Sequence, residues 1–233
     1  MQKCLTITCF ILILSCVSVV STVIADESAS KEGTPQPPGG YVIIEEGSWN
    51  LLADEPDRHI GLARESFLMT DAKTASMELR KAAVHVRIAA SHATERAKKN
   101  LVYSEHELER MARRIENGTL KSVDEFDLAT ARALHAMADY QYIKAADAWR
   151  KREAQLSGQY LRAAANNLER AAARTDSRMR AASAEVARES RLISTKMIDG
   201  AKIAVDDVGA GIEKMGREIE HLGKRVAPVS GDK

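Results

Sequence analysis

Pairs of histidine and carboxylate residues at helical spacing are the side chains in this sequence that could bind a metal ion. His135 and Asp139 are four residues apart, so they would share one helix face and could jointly hold a cation. Glu218 and His221 form a Glu-x-x-His motif, but a di-iron bundle needs that motif twice, with two further glutamates. We expect solvated or edge histidines on helices and predict no metal site and no cofactor, with His135 and Asp139 as the candidates should one exist.

The sequence contains none of the common catalytic motifs. It has no Gly-x-Ser-x-Gly elbow, no phosphate-binding loop and no dinucleotide fingerprint. The three cysteines, Cys4, Cys9 and Cys16, all lie near the N-terminus, so the rest of the chain has no disulfide framework, thiolate zinc site or cysteine nucleophile. We therefore predict that the protein is not an enzyme.

The charge balance limits the classes of partner. Lys plus Arg number 34 and Asp plus Glu number 33, which gives a net charge of +1. A generic nucleic-acid-binding protein would carry a basic excess, so we predict no nucleic-acid partner. The stretch from Arg162 to Lys196 holds eight basic and four acidic residues, and it could weakly contact an anionic surface. The alternative is a solvated helix face.

The N-terminus has the pattern of an export signal. Lys3 precedes 21 uncharged residues, 5–25, and the small-residue ending predicts a signal peptide over residues 1–25 that is cleaved after Ala25. The same run is long enough to remain as a membrane anchor. Ile13-Leu14-Ser15-Cys16 also resembles a lipoprotein box, with lipid on Cys16. All three alternatives predict a protein body outside the cytoplasm, periplasmic or secreted.

The positions of proline divide the remaining chain. Residues 26–47 are rich in Pro, Gly and Ser, which is typical of a flexible linker, with a short extended segment at Tyr41-Val42-Ile43-Ile44. No proline occurs between Pro56 and Pro228, so nothing there excludes long helices, and we predict an all-α fold. The predicted parts are an antiparallel helical bundle over 48–157, a long C-terminal amphipathic helix over 158–227 and a disordered tail over 228–233.

Capping signals predict where the helices of the bundle begin. Pro56 is typical of a first helical position, and Thr70-Asp71 can cap a second helix. Ser104-Glu105-His106-Glu107 and Ser122-Val123-Asp124-Glu125 match capping boxes that would open the third and fourth helices.

Stop signals predict where the same helices end. The second helix is expected to end near Asn100, the third at Asn117-Gly118 and the fourth at about Ser157-Gly158. The fourth helix carries two apolar stripes, which indicates neighbours on both sides and a central place in the bundle.

The last predicted helix carries two regular patterns. After Asp199-Gly200, where a bend is allowed, apolar residues recur at heptad spacing from Val205 to Val226. Three glycines each follow a residue of this seam, and because glycine costs a helix about 1 kcal/mol against alanine, they suggest close approach of another helix. We expect this helix to project and contact a protein partner or a second copy; packing onto its own bundle is the open alternative. The predicted contact residues are Val208, Gly209, Ile212, Met215, Gly216, Ile219, Leu222 and Gly223.

One segment resembles a known family. The residues that carry the resemblance are Leu62-Ala63-Arg64, Phe67, Asp71, Ala75 and Glu78-Leu79-Arg80-Lys81-Ala82-Ala83. They resemble the opening of the YfdX-like family of exported helical proteins linked to bacterial stress and drug tolerance. The resemblance covers about 40 of the 233 residues, and a similar motif is common in tetratricopeptide-like hairpins. It implies an exported, helical, stress-related protein and assigns no functional residue.

Together these patterns predict an exported, non-enzymatic helical scaffold that acts through its long C-terminal helix. The alternative is a periplasmic helical bundle with a stress-related role that binds a small molecule or a metal in a pocket between helices, near His135 or His85.

Overall fold

The computed structural model describes residues 54–227, which form seven α-helices and no β-strand. The all-α prediction is therefore confirmed for these residues. None of these helices is both long and apolar enough to cross a lipid bilayer. The predicted signal peptide, linker and tail lie outside the described residues. In chain order the helices are α1 Glu55–Leu68, α2 Ala72–Ser91, α3 Glu95–Glu116, α4 Val123–Arg150, α5 Ala154–Ala172, α6 Ser177–Ile198 and α7 Val205–Val226.

Several helix ends follow the predicted capping signals. Pro56 lies in the first turn of α1, and the Asp71 side chain accepts a hydrogen bond from the backbone N–H of Thr74 at the start of α2. Ser122 likewise accepts from the backbone N–H of Glu125 at the start of α4. Helix α3 is followed by Gly118 at φ 64°, the left-handed conformation that favours glycine after a helix.

The boundary between α2 and α3 differs from the prediction. Helix α2 ends at Ser91 instead of near Asn100, and α3 begins at Glu95, so Ser104 lies inside α3 and is buried. The capping-box interpretation of Ser104 is wrong because the apolar stripe of α3 runs through it: Leu101 and Leu108 lie on the same buried face.

The boundary between α4 and α5 also differs. Helix α4 ends at Arg150, and the chain turns through Arg152 at φ 65°. Ser157 and Gly158, predicted as a helix stop, lie within α5 and are buried. Gly158 lies against α6, where an added Cβ would come 2.9 Å from the Cβ of Met197. This glycine therefore permits close helix packing and does not end a helix.

The single long helix predicted over residues 158–227 is not present, because α5, α6 and α7 occupy this region. Asp176 starts α6 by accepting hydrogen bonds from the backbone N–H groups of Arg178 and Met179. The second break follows Ile198, and Gly200 adopts φ 68°. Each shorter helix can fold back and bury its apolar stripe on a neighbour, which a projecting helix could not do without a partner.

Helix α4 lies at the centre of the fold and packs against α1, α2, α3, α5 and α7. Many of its buried residues are alanines, whose short side chains let neighbouring helices approach from several directions. The larger buried residues Phe126 and Leu134 represent the two apolar stripes predicted for this helix. Phe126 also stacks on Phe67 of α1, with ring centroids 5.5 Å apart.

The two glycines Gly158 and Gly209 should respond in opposite ways to replacement by alanine. An added Cβ at Gly158 would meet the Met197 Cβ and, at 3.0 Å, the backbone carbonyl oxygen of Ser194, so we expect G158A to lower the free energy of unfolding by about 1–3 kcal/mol. Nothing lies within 4 Å of a Cβ at Gly209, so G209A should raise it by about 0.5–1 kcal/mol through helix propensity. Urea unfolding of both variants measures this, and equal shifts of one sign would contradict it.

Candidate functional site

An open cleft of about 700 Å³ lies between α3, α4 and α7. It exists because α7 returns to the bundle and lies across α4. Helix α3 provides polar residues at one side, α4 provides the floor, and α7 provides the opposite wall. The lining residues that bear on its chemistry are Arg96, Tyr103, Arg132, His135, Ala136, Asp139, Tyr142, Glu213, Gly216, Arg217, Ile219, Glu220, Gly223 and Lys224.

Two of the three predicted contact glycines bring α7 close to α4. An added Cβ at Gly216 would lie 2.5 Å from the hydroxyl oxygen of Tyr142, and one at Gly223 would lie 2.8 Å from Nε2 of His135. Gly209, in contrast, faces open space. Gly216 and Gly223 therefore allow α7 to pack closely on α4 within the same chain.

The apolar seam of α7 also faces the interior of the same chain. The helix packs against α4, α5 and α6. Val205, the first residue of the seam, is 68% exposed, but the later apolar residues are buried: Val208, Ile212, Met215, Ile219, Leu222 and Val226. These side chains are therefore covered without a second protein.

His135 holds the floor of the cleft to α7. Its Nε2–H donates a hydrogen bond to the backbone carbonyl of Ile219 at 2.8 Å, so this nitrogen is not free to bind a metal. Burial lowers the pKa of His135, although the hydrogen bond to Ile219 opposes this shift. Within residues 54–227, no third histidine, cysteine or carboxylate completes a ligand set with His135 and Asp139. His85 lies outside the cleft, stacked on His59 of α1.

Asp139 is a buried carboxyl group that lines the cleft. Its residue is only 8% exposed, and its side chain makes no hydrogen bond or ion pair within the described part of the chain. Burial raises the pKa of Asp139, and the positive charges of His135 and Arg96 only partly offset this effect. Because Asp139 lines the open cleft, a carboxyl group with a raised pKa at this position is typical of a functional site.

The basic residues of the cleft are mostly paired. Arg132 donates to the backbone carbonyl of Val226 and to the Glu107 carboxylate, each at 2.6 Å. Burial raises the pKa of Glu107, an effect that Arg132 opposes. The rim cations on α7 pair with acidic residues one helical turn before them. The exposed Arg96 has no ion pair among residues 54–227, and its positive charge acts on Asp139 and on Glu220.

Four of the eight basic residues in the stretch 162–196 form ion pairs within the fold. Arg170 binds Asp54 at 2.7 Å and Asp57 at 3.2 Å, while Arg174 binds Asp57 at 3.3 Å, which ties α5 and the turn after it to the start of α1. Two further arginines of the stretch pair with carboxylates on α5 or α6. Half of these basic residues are thus compensated within the fold, and contact with an anionic surface stays a prediction.

The sequence identified only part of this cleft. Asp139 and His135 were found by their helical spacing, and Gly216 and Gly223 by their repeat. The contributions of Arg96 and Tyr142 were missed, because they become neighbours of α7 only when that helix folds back. Nothing in their local sequence signals this.

Comparison with protein-family models, curated proteins and solved structures finds no match to this chain. The resemblance to the YfdX-like family therefore stays a prediction. The function of the cleft is argued from its own residues.

Replacing Asp139 by Asn should change how stability depends on pH. Because burial raises the pKa of Asp139 above its ordinary value of 3.8, the contribution of this group to wild-type stability falls as pH rises from 3.8 through the folded pKa. The D139N variant lacks this loss, so its free energy of unfolding should increase relative to wild type across that window and then stay constant. Urea unfolding at several pH values tests this, and a difference independent of pH would contradict it.

Proposed function

We propose that this protein binds a small amphipathic molecule in the cleft between α3, α4 and α7, without catalysing a reaction on it. The observation that carries the proposal is the buried Asp139 carboxyl, which has no partner in the described chain and lines a cleft of about 700 Å³. Clefts of this size suit drug-sized ligands, and convergent polar groups in the lining fix the orientation of the ligand.

Arg132, Arg217 and Lys224 already pair with carboxylates, so Asp139 favours a ligand with an apolar body and a positively charged or hydrogen-bond-donating group. Asp139 can accept a charge-assisted hydrogen bond, which is stronger than a neutral one. Tyr142 offers an aromatic ring, a surface that attracts organic cations. Ala136 and Ile219 provide apolar contact. An organic amine attached to an apolar or aromatic body combines these properties.

The place of action in this proposal is outside the cytoplasm. The N-terminal pattern that predicts export, with its membrane-anchor and lipoprotein alternatives, supports this, and the family resemblance supports a stress-related role. A binding protein that captures organic cations outside the cytoplasm would be consistent with such a role.

The scaffold function predicted from the C-terminal helix is the alternative. It has less support, because the seam that was to form the interface is covered by the chain's own helices. A partner would have to use the exposed side of α7, where Gly209 faces open space.

A cationic dye, proflavine, and an anionic dye, anilinonaphthalene sulfonate, test the proposed ligand class by fluorescence titration. We expect proflavine to bind more tightly, and D139N to weaken it roughly 10- to 100-fold, because a hydrogen bond to a charged group contributes about 1.5–3 kcal/mol. The matched control is E65Q, which removes the same charge at an exposed position on α1. Equal proflavine affinity in wild type and D139N would contradict the proposal.

Light scattering distinguishes the two functions. A cleft-binding protein should be monomeric at micromolar concentration, since its apolar seam is buried. A stable oligomer that dissociates when exposed residues of α7 are changed to lysine would favour the scaffold function instead.

A further inference from the structure

A second group of chemically competent side chains lies between α1 and α2, outside the cleft. Glu55 and His59 come from the first turns of α1, and His85 comes from α2. One nitrogen of each histidine and one carboxylate oxygen of Glu55 lie within 4.8 Å of one another. The two imidazole rings are stacked, with centroids 5.5 Å apart and planes 20° apart.

The hydrogen bonds of His59 fix which of its nitrogens faces the group. Nδ1 is 2.6 Å from Oε2 of the buried Glu78, and Nε2 is 3.3 Å from Nη2 of Arg58. Because a guanidinium can only donate, Nε2 is the acceptor and Nδ1 carries the proton. Nε2 also lies 3.6 Å from Glu55 Oε2. Nε2 is therefore the nitrogen of His59 that could bind a ligand once Arg58 moves away.

Glu78 gives His59 the environment that metal-binding histidines usually have. A histidine that ligates a metal typically donates its other ring N–H to a carboxylate, which orients the ring and increases its basicity. Burial would raise the pKa of Glu78, but hydrogen bonds from Lys81 and His59 outweigh this and lower it. Glu78 is thus held as a carboxylate.

His85 is the member of the group that no structural role explains. Its Nδ1 is buried and has no hydrogen-bond partner among residues 54–227. Buried polar atoms in native proteins are nearly always hydrogen-bonded, and a bound ion is one of the few explanations of an exception. Burial of the ring lowers the pKa of His85.

Arg58 occupies the approach to these donors. Its guanidinium donates to Glu55 Oε2 at 2.6 Å and to His59 Nε2 at 3.3 Å, although more than half of the side chain is exposed. A positive group therefore already contacts two of the three donors. Since Arg58 is largely solvated, its long side chain can move away at low cost.

We propose that Glu55, His59 and His85 bind a first-row divalent transition-metal ion such as Zn²⁺, with Glu78 orienting His59. Two imidazole nitrogens and one carboxylate oxygen suit zinc and its neighbours, whereas magnesium and calcium prefer oxygen donors alone. Tetrahedral zinc holds its donors about 3.3 Å apart, so the group must contract by roughly 1–1.5 Å. Rotation of the His85 ring, which no hydrogen bond restrains, can supply much of this change. The fourth position would be open to water or another ligand.

Zinc titration of the purified protein, prepared without a polyhistidine tag, tests the proposal. The decisive variant is H85Q, because loss of an unpaired side chain should leave the fold intact, as circular dichroism can verify. We expect H85Q to bind zinc at least about tenfold more weakly than wild type, and E78Q to bind it about 10- to 100-fold more weakly. The control is H106A, which removes an exposed histidine from α3 and should bind as wild type does.

The R58A variant gives a prediction that a merely structural cluster would not produce. Removing the guanidinium frees two donors, so zinc should bind about two- to fivefold more tightly. Cobalt(II) absorption spectra then report the ligands: nitrogen and oxygen donors lack the thiolate charge-transfer band that Cys4, Cys9 or Cys16 would give. Equal zinc affinity in wild type and H85Q, or weaker binding in R58A, would overturn the proposal.

Discussion

The fold depends on the close packing of small side chains around α4. Alanine occupies many of the buried positions of this helix, and Gly158 serves the same purpose where α5 meets α6. Short side chains contribute little apolar area each, so stability must come from many close contacts between helices. The same constraint accounts for Gly216 and Gly223, which let α7 lie on α4. The cleft is the space between α3, α4 and α7 that these close contacts do not fill.

The fold class and several helix ends could be predicted because their signals are local. The long interval without proline indicated that this region can be helical. Asp71 and Ser122 each cap a helix by accepting a hydrogen bond from the backbone N–H of the residue three positions later. The turns at residues 92–94 and 173–176 were missed because neither contains glycine or proline. Asp176 caps the start of α6, but an aspartate is equally acceptable on the surface of a continuous helix. Its sequence context therefore does not show that a helix begins there, and the packing of α6 on α5 decides it.

The candidate sites were predictable to the extent that they lie on one helix. His135 and Asp139 lie on one helix at helical spacing, and both do line the cleft. Arg132 and Val226 are 94 positions apart in sequence, and their contact follows from the return of α7. His59 and Glu78 lie on different helices, joined only by the turn that sets how α1 meets α2. Such juxtapositions depend on interhelical geometry, which periodicity does not encode.

The arginine–aspartate contacts between α5 and the start of α1 have a consequence for how the protein is made. Asp54 and Arg170 are 116 positions apart, and Asp57 and Arg174 are 117 apart. At about 5–20 residues per second, the ribosome needs roughly 6–23 s to make that interval. Helix α1 can pack on α2 soon after both are synthesised, but Asp54 and Asp57 cannot form their ion pairs until Arg170 and Arg174 have been made. A chain that emerges N-terminus first, from the ribosome or across a membrane, can therefore form the α1–α2 hairpin before Arg170 and Arg174 are present to bind its acidic end.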